Sequence, residues 1–190
     1  MAPTAELLIL GLGNVLCGDD GLGVLTVRLL ERRYRVPPGV SIVDGGTLGL
    51  SLLPLLQRAR RVVMVDAIRF EDAQPGSLVR LAGAEVPPAV RERLSPHQLG
   101  VADLLDGAAL LGCSLAGIVL LGLVPKDMTL RVGLSPPVER QVPMLTRGIV
   151  IEARRFGYRF SQRPAHEEEP VRMDGVGDLA GTFGVRRRGR

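Results

Sequence analysis

At 190 residues the chain is sized for one compact domain with some surplus. Apolar residues make up 46%, enough for a sizeable core, but aromatics are only 3% and Trp is absent, so the core is aliphatic and the stacking platforms of nucleic-acid binders are missing. Of the formal net charge of +4, residues 157–190 carry +2 (seven Arg against five acids), leaving +2 spread over the rest, so no basic face is implied.

In chain order, residues 7–10 form a short continuous apolar run that stops at Gly11-Leu12-Gly13-Asn14, a buried strand followed by a tight loop. Leu22, Leu25 and Leu29 then recur at helical spacing, with Asp19 and Asp20 where an N-cap and first turn belong. A second strand at 41–43 ends in Asp44-Gly45-Gly46-Thr47. A helix is predicted over 48–59, with Pro54 as a kink or break. The third strand covers 61–65 and leaves Asp66 at its carboxyl end, and a fourth at 77–81 follows the turn Gln74-Pro75-Gly76.

Ser95-Pro96-His97-Gln98 combines Ser at the N-cap, Pro at N1 and Gln at N3, and so opens a helix that carries Val101, Leu104, Leu105 and Ala108 on one face. Residues 115–123 are the last strong strand. Pro136 and Pro137 start a final helix with Val138, Val142, Leu145 and Ile149 on its apolar face. Alternation of strand and helix predicts a single three-layer α/β domain, a mostly parallel twisted sheet flanked by helices, over residues 1–157. Residues 158–190 lose periodicity and gain Pro, Gly and charge, and are expected to form a flexible basic tail.

Cys17 and Cys113 are the only cysteines, too few and too far apart for a disulfide framework, so a reducing compartment is expected. Residues 1–10 carry no basic leader, and their apolar run is too short for a signal segment or a span. A cytoplasmic chain with no membrane insertion is the expectation.

Ligands in an open α/β sheet bind at the carboxyl ends of the strands. Asp20 follows strand one, Asp44 strand two and Asp66 strand three, and His97 reaches the same edge if its helix follows a βα connection. Two carboxylates and one imidazole suit a hard or borderline divalent cation and leave coordination positions open. At a helix start the dipole disfavours imidazolium, so His97 tends toward the neutral, metal-binding form. Each residue has a plainer reading: His97 as a surface or capping group, Asp20 as a helix cap, Asp44 as ordinary turn chemistry. Asp66 is harder to dismiss, because an acid directly after Val-Val-Met-Val needs a partner or a function.

Other chemistries fit poorly. Gly11-Leu12-Gly13 begins a dinucleotide fingerprint, but Leu16 occupies its third glycine position, and Asp19 and Asp20 would repel a pyrophosphate. There is no GxSxG elbow and no HExxH, and a Cys17–His97 pair is a weaker reading than a small buried thiol.

The segments Gly-Leu-Gly-Asn-Val-Leu-Cys-Gly-Asp-Asp-Gly at 11–21, Asp-Gly-Gly-Thr at 44–47, Val-Asp-Ala-Ile at 65–68 and Ser-Pro-His-Gln-Leu-Gly at 95–100 resemble the endopeptidases that mature nickel–iron hydrogenases. Gly-Leu-Val-Pro at 122–125 and Gly-Leu-Ser-Pro-Pro-Val-Glu at 133–139 are similar to later segments of that family. The likeness runs in order from about residue 7 to residue 156. It implies that Asp20, Asp66 and His97 bind the metal, the first position being Glu in many members and Asp in others. It also implies the job: removing the C-terminal extension of a hydrogenase large-subunit precursor after nickel insertion, with the nickel supplied by the precursor. Asp20 or Asp66 as general base on water, or carbonyl polarisation by the metal, both remain open as the chemical step. Rival readings are a non-enzymatic nickel-sensing adaptor or metallochaperone with the same ligands, and a related peptidase with another protein substrate.

Overall fold

The computed structural model describes residues 5–93 and 99–164. The elements in chain order are β1 (Ala5–Leu12), a 3-10 turn (Gly18–Gly21), α1 (Leu22–Arg33), β2 (Tyr34–Arg35) and β3 (Val40–Gly46). A second 3-10 turn (Gly49–Leu52), α2 (Leu53–Gln57), β4 (Ala59–Ala67), β5 (Leu78–Ala82) and α3 (Val86–Arg93) follow. The chain continues through α4 (Leu99–Leu110), β6 (Ile118–Leu123), α5 (Pro136–Glu139), α6 (Val142–Arg155) and β7 (Ser161–Gln162).

Five strands form one sheet in the order β3-β1-β4-β6-β5. The first four are parallel, and β5 adds an antiparallel edge. The inner parallel strands β1, β4 and β6 contain continuous apolar runs because both faces are covered, whereas β3 is a half-buried edge. Strand alternation sorts their side chains into two cores. Leu7, Ile9, Val63, Val65, Val119 and Leu121 pack with α1 and α6. Leu8, Leu10, Val62, Met64, Ile118 and Leu120 pack with the α2, α3 and α4 layer. The expected three-layer architecture is therefore the observed one. Val138, Val142, Leu145 and Ile149 are all fully buried, but the one helix expected to carry them from Pro136 is two, with Val138 on α5 and the other three on α6. Arg80 on the β5 edge grips the buried Glu152 of α6 with two bonds of 2.9 and 3.1 Å, tying the antiparallel strand to the helix layer beneath it.

Several local expectations change. The single helix expected over 48–59 is a 3-10 turn followed by a five-residue helix. Pro54 sits in the first turn of α2, where its missing N–H costs nothing, so it permits the helix and does not kink it. The α3 helix begins next to Pro87 and Pro88, which concealed it in the sequence. Residues 158–164, assigned to the tail from sequence, lie along the body. β7 pairs with β2, Phe160 meets Tyr34 edge to face at 6.2 Å, and the Tyr158 hydroxyl donates to Glu6 at 2.7 Å. The rest of the expected tail, residues 165–190, lies outside the described residues.

Candidate active site

The carboxyl ends of β1, β3 and β4 meet at one edge, with Gly11 in register with both Asp44 and Val65. Two glycines let the backbone close on that edge. Gly13 has φ +111°, and a Cβ there would lie 1.7 Å from the Asp20 carbonyl oxygen. A Cβ on Gly23 would lie 2.0 Å from the Val65 carbonyl oxygen. The Asp20 turn is thereby pressed onto β1, and the start of α1 onto β4 one residue before Asp66. This close approach is why the loop after β1 is rich in glycine.

Asp20 is buried at 4% exposure, and its Oδ2 accepts the Asn14 amide at 2.8 Å. Asn14 in turn accepts the Leu16 amide at 3.0 Å, closing a small loop around the carboxylate. Asp66 is fully buried, and its Oδ1 accepts the Ala67 amide at 2.7 Å. By alternation it shares a face with Met64 and Ile68, the face covered by the α4 layer. The start of α4 is at this edge as well: Gly100 packs so closely on Gly49, just past β3, that a Cβ on either would come within 3.2 Å of the other's Cα. His97 lies outside the described residues. Among the described residues, no group of three His, Cys, Asp or Glu side chains is arranged to hold a metal ion.

Asp44 is at the expected edge but on the other face. Its neighbour Ile42 packs with the α1 core, and Arg28 of α1 holds its Oδ2 at 2.8 and 3.2 Å. The arrangement brings the Asp20 and Asp66 segments together and leaves the Asp44 carboxylate engaged beneath them. The sequence reading also missed the weight carried by Asp19, which it treated as a cap position. Asp19 is fully buried, and its two oxygens accept four hydrogen bonds: from the Lys126 amide at 2.8 Å, the Asp127 amide at 2.9 Å, the Ser135 amide at 2.6 Å and the Ser135 hydroxyl at 2.8 Å. A cavity of about 380 Å³ beside Arg60 and Cys113, and one of about 360 Å³ between Glu6 and Tyr158, lie at the amino ends of the strands and share no residue with this edge.

Residues 24–152 match the family model described as HycI, hydrogenase maturation protease. The hydrogenase 2 maturation protease of Escherichia coli K12 is 35% identical over 160 residues, covering 84% of this chain and 98% of that protein. The chain belongs to the hydrogenase maturation protease family. A hydrogenase expression/formation protein, HupD, from Bradyrhizobium diazoefficiens is 38% identical over 171 residues, 88% of each chain. The solved E. coli hydrogenase maturating endopeptidase HybD superimposes with a TM-score of 0.79 at 34% identity, covering 83% of this chain and 98% of that one. A HybD maturation protease from Thermococcus kodakarensis does so with a TM-score of 0.64 at 29% identity, covering 78% and 99%. As a member of the maturation protease family the chain is an endopeptidase, a hydrolase, built on the fold of that family. No helix among the described residues is long and apolar enough to cross a membrane.

Proposed function

We propose that this protease removes the C-terminal extension of a nickel–iron hydrogenase large-subunit precursor after nickel insertion, reading the precursor's nickel through Asp20, Asp66 and His97. The observation that supports the reading is that two buried carboxylates, from a turn and a strand 46 residues apart, stand at one sheet edge, where Gly13 and Gly23 let the backbones close on each other. His97 is three residues before Gly100, whose backbone packs at that same edge.

Chemically, a cation presented to buried carboxylates is attracted far more strongly than in water, because little solvent screens it. Two carboxylates and an imidazole suit nickel as a borderline ion, but the set has no thiolate to retain it. Nickel is therefore part of the substrate: the precursor brings it, and this chain completes its surroundings. One of the two carboxylates serves as general base on the attacking water once the precursor is seated. The setting is the cytoplasm, where the two thiols, both free in the structure, stay reduced.

The deciding experiment is a mass measurement of nickel-loaded and nickel-free precursor, each with and without this protein. Loss of the C-terminal extension from the nickel-loaded form alone is the expected result. Equal cleavage of both forms would remove the nickel-reading role, and cleavage of neither would remove this substrate.

A further inference from the structure

Asp44 stands near the end of β3 at the candidate site, and only one of its oxygens is engaged. Arg28 of α1 donates to Oδ2 twice, from Nη2 at 2.8 Å and from Nε at 3.2 Å. Among the described residues nothing donates to Oδ1. The Asp44 side chain is 22% exposed. A Cβ built on Gly46 would meet only that Oδ1 within 4 Å, at 3.8 Å, its chain neighbours aside. The space over Gly46 is therefore open, and the unbonded oxygen borders it.

This oxygen is close in the fold to the Asp20 turn. The Gly46 carbonyl accepts the Gly13 amide at 3.0 Å, and Gly13 is the residue that lets the Asp20 backbone close on β1. β3 is also an edge of the sheet, with no strand on its outer side. No strand has to be displaced for an extended polypeptide to approach the Asp44–Gly46 turn from there. An unheld carboxylate turns freely, whereas two donors of one guanidinium on a single oxygen restrict it. The same guanidinium offsets the negative charge, so what remains is a directed acceptor better matched to a neutral N–H than to a cation. An acceptor already oriented loses less freedom when a partner binds.

We propose that Arg28 is a positioning residue for the peptidase reaction: it pins one oxygen of Asp44 so that the other accepts a backbone N–H of the precursor segment passing the Asp20 turn. The inference rests on the peptidase reading above. It concerns the polypeptide, as distinct from its nickel, because Asp44 and Asp66 belong to opposite faces of the sheet.

The test exploits the opposite demands that an asparagine at position 44 would face. In Asp44→Asn the Arg28 donors claim the amide carbonyl, so the NH₂ takes the place of Oδ1 and meets the precursor as a donor. KM for nickel-loaded precursor should rise about tenfold, the loss expected for one hydrogen bond to a charged acceptor, with kcat and Tm nearly unchanged. Arg28→Leu combined with Asp44→Asn frees the amide to turn over, and KM should return to within about threefold of the unmodified protein. Arg28→Leu alone keeps the acceptor but not its orientation, and should raise KM roughly threefold. Arg155→Gln, which removes an exposed arginine from the last turn of α6, is the control and should change neither constant. A double variant as poor as Asp44→Asn would overturn the orienting role of Arg28, and so would losses that simply follow Tm. An unchanged KM in Asp44→Asn would overturn the contact and leave the peptidase reading standing. Failure of the unmodified protein to cleave any precursor would overturn both.

Discussion

Asp19 and Ser135 are joined twice, amide to Oδ1 at 2.6 Å and hydroxyl to Oδ2 at 2.8 Å, across 116 residues of sequence. Every group around the Asp19 carboxylate is a donor. Asp19→Asn would turn an amide NH₂ toward these donors and leave at least one of them without an acceptor, and should cost about 2–3 kcal/mol of stability. Ser135→Ala loses one bond and keeps the other, so it should cost nearer to ~1 kcal/mol. Denaturant unfolding of the two variants checks the order, and Asn tolerated as well as Ala would contradict it.

Gly13→Ala forces a left-handed backbone and a contact with the Asp20 carbonyl at once. Strain of roughly 1–3 kcal/mol from the backbone alone is expected, with the turn displaced on top of it, so processing should be lost. Gly112→Ala, also at positive φ but with nothing within 4 Å, isolates the backbone effect and should leave processing intact. Equal activity in the two variants would show that the tight approach of the turn is dispensable.

Asp66→Asn keeps shape and removes charge. Binding of nickel-loaded precursor should weaken by about tenfold or more, while binding of nickel-free precursor should hold, because the lost attraction exists only when the ion is present. The isolated protein should bind divalent metal weakly, having no thiolate in its set. Tight stoichiometric zinc in the purified protein, read by elemental analysis, would favour a self-sufficient metallopeptidase.

His97→Ala should stop processing and leave Tm nearly unchanged. By sequence the helix cap belongs to Ser95 and Gln98, so His97 carries none of the roughly 0.5–2 kcal/mol that cap removal costs. Inactivity that merely tracks melting, measured by circular dichroism, would contradict its assignment as a ligand.

A stop codon after Gly157 removes the Tyr158–Glu6 bond, the Tyr34–Phe160 contact and the β2–β7 pair. It should lower stability by roughly 2 kcal/mol, mostly through lost aromatic burial. A stop after Pro164 should leave stability and cleavage as they are. Equal Tm values for the two truncations would show that the docked segment contributes nothing.

How far the sequence spoke for the fold depended on how local each signal was. The β1 and β4 runs were legible because strands covered on both faces must be apolar throughout, and α6 because Val142, Leu145 and Ile149 keep helical spacing; the break that puts Val138 on a separate short helix was not. Pro54, Pro87 and Pro88 misled because proline is a breaker inside a helix and acceptable at its start, and spacing alone does not say which. The candidate site divides in the same way. Asp20, Asp44 and Asp66 were placed at the right edge by strand order along the chain. Asp44 then proved to lie on the opposite face from Asp66, a matter of strand parity and of which layer Arg28 approaches from. Asp19 looked like a cap because its partners at residues 126, 127 and 135 are more than a hundred positions away, beyond any local pattern.

The pairing of β2 with β7 also sets an order of events during synthesis. β1 lies between β3 and β4, so the middle of the sheet can assemble once residue 67 has left the ribosome, whereas Tyr34 and Arg35 must wait for Ser161 and Gln162. Until then the end of α1 and the first residues of the sheet lack the cover that Tyr158 and Phe160 provide. A nascent chain of this protein therefore carries a half-closed body while residues 68–162 are translated, and a chaperone that recognises exposed aliphatic strands has that interval in which to engage it.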